Sequence, residues 1–203
     1  MKKIFFVIVS ISLGLQSCAQ MQKNIALNPP DLPKNLSDSA LLDSIERRTF
    51  DFFWTGAEPN SGMAPERIHM DGDYPDKDQR IVATGGSGFG VMAILAGIHR
   101  GYITREQGLQ RFEKIISFLE KADRFHGAYS HWINGETGHV KPFGQKDDGG
   151  DLVETSFLFQ GLLCVRQYFK DGNEEEKKLA SRIDKLWRDV EYDWYRNGKN
   201  VLY

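Results

Sequence analysis

The sequence predicts an all-α fold in which two concentric layers of helices form a toroid. Five segments after residue 38 have helical periodicity. Two of them are apolar on every side, which is typical of an inner helix, while three carry one apolar stripe opposite charged residues, which is typical of an outer helix. The two kinds alternate along the chain. This alternation predicts an inner layer of helices covered by an outer layer.

The three striped segments are the predicted outer helices. The first covers about 39–54, and its stripe consists of Leu42, Ile45, Thr49, Phe50 and Phe53. The second opens at Thr104 with Gln107 three residues later, which is the pattern of a capping box. The third covers about 174–190, with dense charge opposite its stripe. Each is expected to be half exposed.

The two apolar segments, about 87–99 and 152–169, are the predicted inner helices. A complete barrel is expected to bury them almost fully, whereas this chain alone is expected to leave one flank open. The connections that enter them are long and those that leave them are short: 56–86 and 123–150 against 100–103 and 170–173. Long loops in a compact domain are usually functional. Both long connections are therefore expected at the end where the inner helices begin.

The second long connection contains a predicted hairpin. Residues 128–133 are rich in strand-forming side chains, 134–138 have turn chemistry, and 139–143 supply the returning strand. The hairpin is expected to stand at the mouth of the toroid, next to the second inner helix.

The N-terminus predicts export. Lys2 and Lys3 precede an apolar run over 4–15, which is the pattern of a signal peptide. The run is too short for a membrane span, which needs roughly 20 residues. The run ends in Leu15-Gln16-Ser17-Cys18, which resembles a bacterial lipobox with Cys18 as the lipidation site. An ordinary secretory signal is the alternative. The predicted organisation is a lipoprotein signal peptide at 1–18, a flexible tether at 19–38 and the helical domain at 39–203, in a periplasmic or outer-membrane lipoprotein.

Composition limits the classes of partner. The net charge is −2 and basic residues are scattered among acidic ones, which gives no reason to expect nucleic acid. Membrane contact is expected only through the lipid anchor, and the protein is expected to be a monomer. The second cysteine, Cys164, lies in an apolar run as a small hydrophobe, so no internal disulfide framework exists.

No cofactor or metal is predicted. No strand is predicted before the glycine-rich run 85–90 and no Lys-Ser/Thr follows it, so the run does not match either phosphate-binding fingerprint. Close helix packing, or a polar sugar contact from Ser87, are the interpretations left open. The aspartates of 71–78 lack the register of an EF-hand, and no metal-ligand spacing is present among the histidines His126, His131 and His139.

The candidate catalytic residues stand at the start of the second inner helix. Asp147, Asp151 and Glu154 fall at i, i+4 and i+7 in the run Asp147-Asp148-Gly149-Gly150-Asp151-Leu152-Val153-Glu154. Glycosidic bond cleavage commonly uses two carboxyl groups. The alternative is helix capping, in which Asp151 caps the helix and Glu154 reaches back to it. Because Asp151 and Glu154 lie on consecutive turns, the second catalytic carboxylate is expected from another helix.

Aromatic residues surround this acidic run. Sugar sites stack pyranose rings on aromatic side chains, so we predict substrate contacts from Tyr129, Trp132 and Phe143, with His131 as a hydrogen-bonding group. Packing of the loops is the alternative explanation for these aromatics.

These motifs together resemble the glycoamylase-like domain of glycoside hydrolase family 144. The resemblance covers about 41–203 and lies in four runs: 80–90, 100–106, 129–132 and 147–154. It implies an (α/α)6 barrel of which this chain holds only the N-terminal part, and hydrolysis of β-1,2-glucan. It also implies that acidic family residues match Asp147, Asp151 and Glu154, and that a further acid follows the segment 200–203. The chain is accordingly expected to be an inactive fragment of the enzyme.

The expected function is therefore that of an exported lipoprotein that hydrolyses an oligo- or polysaccharide, most simply β-1,2-glucan. A non-catalytic glycan-binding lipoprotein with the same cleft is the alternative. A helical toroid used for protein contacts is a third possibility, and it predicts no binding of oligosaccharides.

Overall fold

The computed structural model describes residues 35–75 and 77–202. The predicted signal peptide, the lipidation site Cys18 and most of the tether lie outside the described residues. The elements in chain order are α1 (Asp38–Trp54), β1 (Ile81–Ala83), α2 (Thr84–His99), α3 (Arg105–Leu119), β2 (Arg124–Phe125), β3 (Ala128–Tyr129), β4 (Trp132–Asn134), α4 (Leu152–Phe169), α5 (Glu174–Arg188) and α6 (Tyr192–Arg196). All five predicted helices are present, which confirms the all-α class. None of the helices in the described ranges has the length and apolarity to cross a membrane.

The inner helices α2 and α4 pack against each other through glycine. A Cβ atom on Gly88 would lie 2.1 Å from the carbonyl oxygen of Phe157, and one on Gly161 would lie 2.2 Å from the carbonyl oxygen of Gly88. Side chains are excluded at both positions, so the two backbones approach closely. The close-packing interpretation of the glycine-rich run is therefore correct. The run is also part of the helix, which begins at Thr84, three residues before the predicted start.

The outer helices α3 and α5 pack together over the inner pair. Both begin with a capping box, formed by Thr104 with Gln107 and by Asn173 with Glu176. The first of these boxes was predicted from the sequence and is confirmed. Their apolar stripes are buried, and Arg182 of α5 pairs with Glu113 of α3 and with Glu120, the C-cap residue of α3, at the surface of the contact.

The apolar stripe of α1 is not buried along its whole length, unlike the stripe that was predicted. Phe50 is buried and packs against the ring of Tyr102, with 5.4 Å between ring centroids. Leu42 and Ile45, on the same stripe, are 60% and 50% exposed. The first half of the stripe is therefore not a core contact, because no described element packs over it.

One flank of the inner helices is open, as expected for part of a barrel. Phe89 of α2 and Phe157 of α4 are exposed and their rings lie 5.4 Å apart. Val153 is exposed on the same helix as Phe157. Cys164, on the same helix, is also exposed and is a free thiol.

The predicted hairpin is only partly correct. Its turn at 134–138 is present, but the returning strand contributes a single antiparallel bridge between Ile133 and Val140. The main partner of β4 is β1, in antiparallel register with Ala83 opposite Trp132. Strand β3 pairs with β2 instead. The pairing of β1 with β4 joins segments distant in the chain, and local turn chemistry contains no information about it.

Candidate active site

The two long connections meet at the N-terminal ends of α2 and α4. The backbone amide of Thr84 donates to the carbonyl oxygen of His131 at 3.0 Å, and the Thr84 hydroxyl donates to that of Ser130 at 2.6 Å. The amide of Asp151 donates to the carbonyl oxygen of Tyr129 at 2.8 Å. The expectation that both connections gather at this end is confirmed, and the hydrogen bonds fix 128–132 across the starts of both inner helices.

A cleft of about 730 Å³ opens at this place. This volume is within the usual range for ligand pockets. Four of the predicted site residues line the cleft, namely His131, Trp132, Asp147 and Asp151. Glu154 adjoins it through His131. The structure thus brings the acidic run and the aromatic segment together, as the sequence predicted.

Asp151 is both the N-cap of α4 and a partner of His131. Its Oδ1 accepts from the backbone amides of Val153 and Glu154 at 2.9 and 3.0 Å. Its Oδ2 lies 3.1 Å from Nδ1 of His131. Helix capping and a place in the site were alternatives in the sequence analysis. The carboxylate of Asp151 does both. Both oxygens of Asp151 are engaged, and the imidazole ring of His131 is oriented by one of them.

Glu154 does not reach back to the cap, so that part of the capping alternative is wrong. Its Oε2 accepts instead from the backbone amide of Gly85 at 2.7 Å, and Nε2 of His131 lies 3.9 Å from the same oxygen. The amide belongs to the first turn of α2, where the helix dipole favours a negative charge. A Cβ atom on Gly85 would lie 2.7 Å from Oε2 of Glu154, so a side chain there would displace the carboxylate.

Asp147 lies on the loop before α4 and lines the same cleft, beside Lys146. Its backbone amide donates to the carbonyl oxygen of Gly144 at 3.4 Å, within a turn of this loop. Its supporting role in catalysis stays a prediction. Within the described ranges, the structure contains no group of three or more potential metal ligands arranged around a common centre.

Among the predicted aromatic contacts, Trp132 lines the cleft. Its ring packs on the imidazole of His131, with 3.9 Å between centroids, and meets the ring of Phe143 edge-on at 4.8 Å. Its indole Nε1 donates to Oε2 of Glu66 at 2.9 Å. Phe143 is exposed beside it. Sugar contacts from Trp132, His131 and Phe143 remain predictions consistent with this placement.

Two predicted substrate contacts are wrong. Tyr129 is fully buried, its hydroxyl donates to the carbonyl oxygen of Leu119 at 3.0 Å, and burial raises its pKa. Ser87 is also buried, where its hydroxyl donates to the carbonyl oxygen of Ala83 and accepts from the amide of Ala64. Both polar groups are satisfied inside the protein, so neither can contact substrate.

Known proteins that resemble the chain are glucan hydrolases. An exo-β-1,2-glucooligosaccharide sophorohydrolase of Parabacteroides distasonis is 50% identical over 203 residues, which is all of this chain and 26% of that protein. The endo-β-1,2-glucanase of Chitinophaga pinensis, solved with sophorotriose and glucose, is 69% identical, with a TM-score of 0.82 over 83% of this chain and 40% of its own. A β-1,2-glucanase structure from P. distasonis is 55% identical, with a TM-score of 0.76 over 83% of this chain and 24% of its own. No family model matches the chain.

Fold and cleft together define the chain as part of a glycoamylase-like helical barrel of the kind that glycoside hydrolases use. The chain is homologous to β-1,2-glucan hydrolases, which confirms its resemblance to glycoside hydrolase family 144. It spans about a quarter of the length of the curated relative and 40% of the length of the C. pinensis structure.

Proposed function

We propose that this chain is part of an exported lipoprotein that hydrolyses β-1,2-glucan. The observation that carries the proposal is the cleft in which His131 links Asp151 and Glu154 beside Trp132, in a chain 69% identical to an endo-β-1,2-glucanase. Most glycoside hydrolases use carboxyl groups at the scissile bond, and the cleft supplies such groups next to an aromatic surface suited to a sugar ring.

The hydrogen bonds suggest a different task for each acid. Both oxygens of Asp151 are engaged, by two backbone amides and by His131, which suits a residue that orients others. Glu154 uses only Oε2, because the described part of the chain forms no hydrogen bond to its Oε1. Glu154 is therefore the proposed acid-base residue, Asp151 orients His131 beside it, and Asp147 supports these two acids.

A second catalytic carboxylate completes the mechanism. An inverting pair is separated by roughly 6.5–9.5 Å so that a water molecule fits between acid and sugar. Asp151 at the N-cap of α4 and Glu154 on its first turn lie beside the same imidazole, which does not suit opposite faces of a sugar ring. The proposed partner is an acid from the remainder of the barrel.

The test is product analysis with the full-length polypeptide on β-1,2-, β-1,3- and β-1,4-glucans. Oligosaccharides are expected from β-1,2-glucan only. Glu154→Gln is expected to lower turnover by about 10²- to 10⁴-fold, the usual contribution of general acid-base catalysis, and to leave the melting temperature nearly unchanged.

Glu174→Gln serves as the control, because this glutamate side chain is 92% exposed on α5 and touches no part of the cleft. Its turnover is expected to equal that of the unsubstituted protein. Binding of β-1,2-glucan without any turnover would instead establish a glycan-binding protein, and turnover that survives Glu154→Gln would remove Glu154 from the mechanism.

A further inference from the structure

Glu66 contacts Trp132, a residue that lines the cleft, although it precedes the acidic run by about eighty residues. Its segment lies along β1, where the Glu66 amide donates to the carbonyl oxygen of Ile81 at 2.8 Å and Pro65 forms a bridge with Val82. Trp132 lies on the opposite side of β1, in register with Ala83. The side chains of Glu66 and Trp132 meet across this strand, at 2.9 Å between Oε2 and Nε1.

The carboxylate of Glu66 is itself held in place. Its other oxygen, Oε1, lies 3.4 Å from the guanidinium of Arg67. Arg67 also contacts the buried carboxylate of Asp78, at 3.2 Å from its Nε. The side chain of Glu66 is only 21% exposed, so the hydrogen bond to the indole is largely shielded from water. An ionised acceptor makes such a bond shorter and stronger than a neutral one does.

The Trp132 ring that Glu66 holds lines the cleft beside the proposed catalytic group. The indole of Trp132 packs on the imidazole of His131, whose Nδ1 lies 3.1 Å from Asp151 and whose Nε2 lies 3.9 Å from Glu154. An indole ring has one hydrogen-bond donor, and here Glu66 engages it. The strand fixes the backbone of Trp132 and this bond fixes the rotation of its side chain, so the ring plane at the cleft is set by Glu66.

We propose that Glu66 is a positioning residue of the glucan-binding cleft, which holds the Trp132 indole in the plane that a glucose ring of the substrate contacts. The assignment rests on the proposed function of the cleft. Glu66 acts through Trp132 and does not touch the sugar. Its loss is therefore expected to weaken substrate binding and to leave the chemical step nearly intact.

Kinetics of the full-length protein on β-1,2-glucan provide the test. Glu66→Ala is expected to raise KM by up to about tenfold, because substrate binding must then order the freed indole side chain, with kcat changed less than about twofold. Glu66→Gln is expected to restore most of the affinity, because an amide oxygen can still accept from the indole. Glu174→Ala is the matched control, since it removes a glutamate from the surface of α5.

A double-mutant cycle separates positioning from other effects. Trp132→Phe keeps an aromatic ring but has no N–H group to anchor, so Glu66→Ala is expected to cause no further rise in KM on that background. An equal rise on both backgrounds would overturn the proposal, because Glu66 would then act without Trp132. An unchanged KM in Glu66→Ala would overturn it as well.

A readout independent of turnover distinguishes this proposal from the proposed function. The indole N–H resonance of Trp132, observed with isotope-labelled tryptophan, is expected to shift and to exchange faster with water in Glu66→Ala, and to stay near its original position in Glu66→Gln. An unmoved resonance would contradict the anchoring. Absence of β-1,2-glucan hydrolysis in the unsubstituted protein would contradict the proposed function, whatever the resonance does.

Discussion

At the scale of single residues, Asp151 shows how one carboxylate serves both stability and chemistry. One oxygen satisfies two backbone amides at the start of α4, and the other orients His131. The cap holds the carboxylate at a fixed position relative to the helix. That fixed position is what allows the second oxygen to determine the direction of the imidazole ring.

Two substitutions at position 151 separate these tasks. Asp151→Asn is expected to keep the cap, because asparagine is an equally good N-cap residue, and to lower turnover because the charge facing His131 is lost. Asp151→Ala is expected to lose turnover and also about 0.5–2 kcal/mol of stability. Turnover and urea denaturation measured on both variants provide the comparison. Full activity in Asp151→Asn would show that capping is the whole role of this residue.

The sequence predicted this part of the site because its signal is local. Asp151 and Glu154 stand at the start of a recognisable helix, and His131 and Trp132 stand in a segment with strand chemistry. Glu66 was missed because it meets Trp132 across 66 positions, and nothing in its neighbours marks it. Tyr129 was misassigned because sequence shows that an aromatic residue is present but not toward which side of its strand it points.

At the scale of elements, the N-terminus of α5 couples two outer helices. Glu176 closes the capping box of α5 by accepting from the amide of Asn173 at 2.9 Å. The same carboxylate pairs with Arg105, the first residue of α3, at 2.5 Å. The guanidinium of Arg105 lowers the pKa of Glu176. The capping boxes follow local sequence patterns, whereas the pairing of α3 with α5 depends on the tertiary fold.

This pKa shift predicts a component of acid lability. Because the folded-state pKa of Glu176 is depressed, its ionised form stabilises the fold at neutral pH, and this contribution is lost as the pH falls below about 4.5. Glu176→Gln is expected to lower the free energy of unfolding at pH 7 and to flatten its decline below pH 4.5. Urea denaturation between pH 3 and pH 7 measures both.

The control for this experiment is Glu174→Gln, on the same first turn but highly exposed. Surface ion pairs contribute little, so its stability curve is expected to follow that of the unsubstituted protein. Parallel curves for Glu176→Gln and the unsubstituted protein across the acid range would contradict the assigned role of the pair with Arg105.

At the scale of the whole molecule, the open flank agrees with the length comparison. The apolar side chains exposed along α2 and α4, among them Phe89, Val153 and Phe157, lie on the two helices that were predicted to be buried in a complete barrel. Helix periodicity gave the layer of each helix correctly. It could not show which face of α1 lacks a partner, because an apolar stripe looks the same whether or not another helix covers it.

Lipid anchoring would determine where the whole molecule is located, although Cys18 lies outside the described residues. Each buried acyl methylene contributes about 0.8 kcal/mol, so several chains on one cysteine hold a protein stably at a membrane. In the bacterial host the unsubstituted protein is therefore expected in the membrane fraction, and Cys18→Ser is expected in the soluble fraction or as the unprocessed precursor. Cys164→Ser is the matched control, because it removes the other cysteine of the chain and leaves the predicted lipobox intact. Soluble fractionation of both the unsubstituted protein and Cys18→Ser would instead favour an ordinary secretory signal in which Cys18 has no special role.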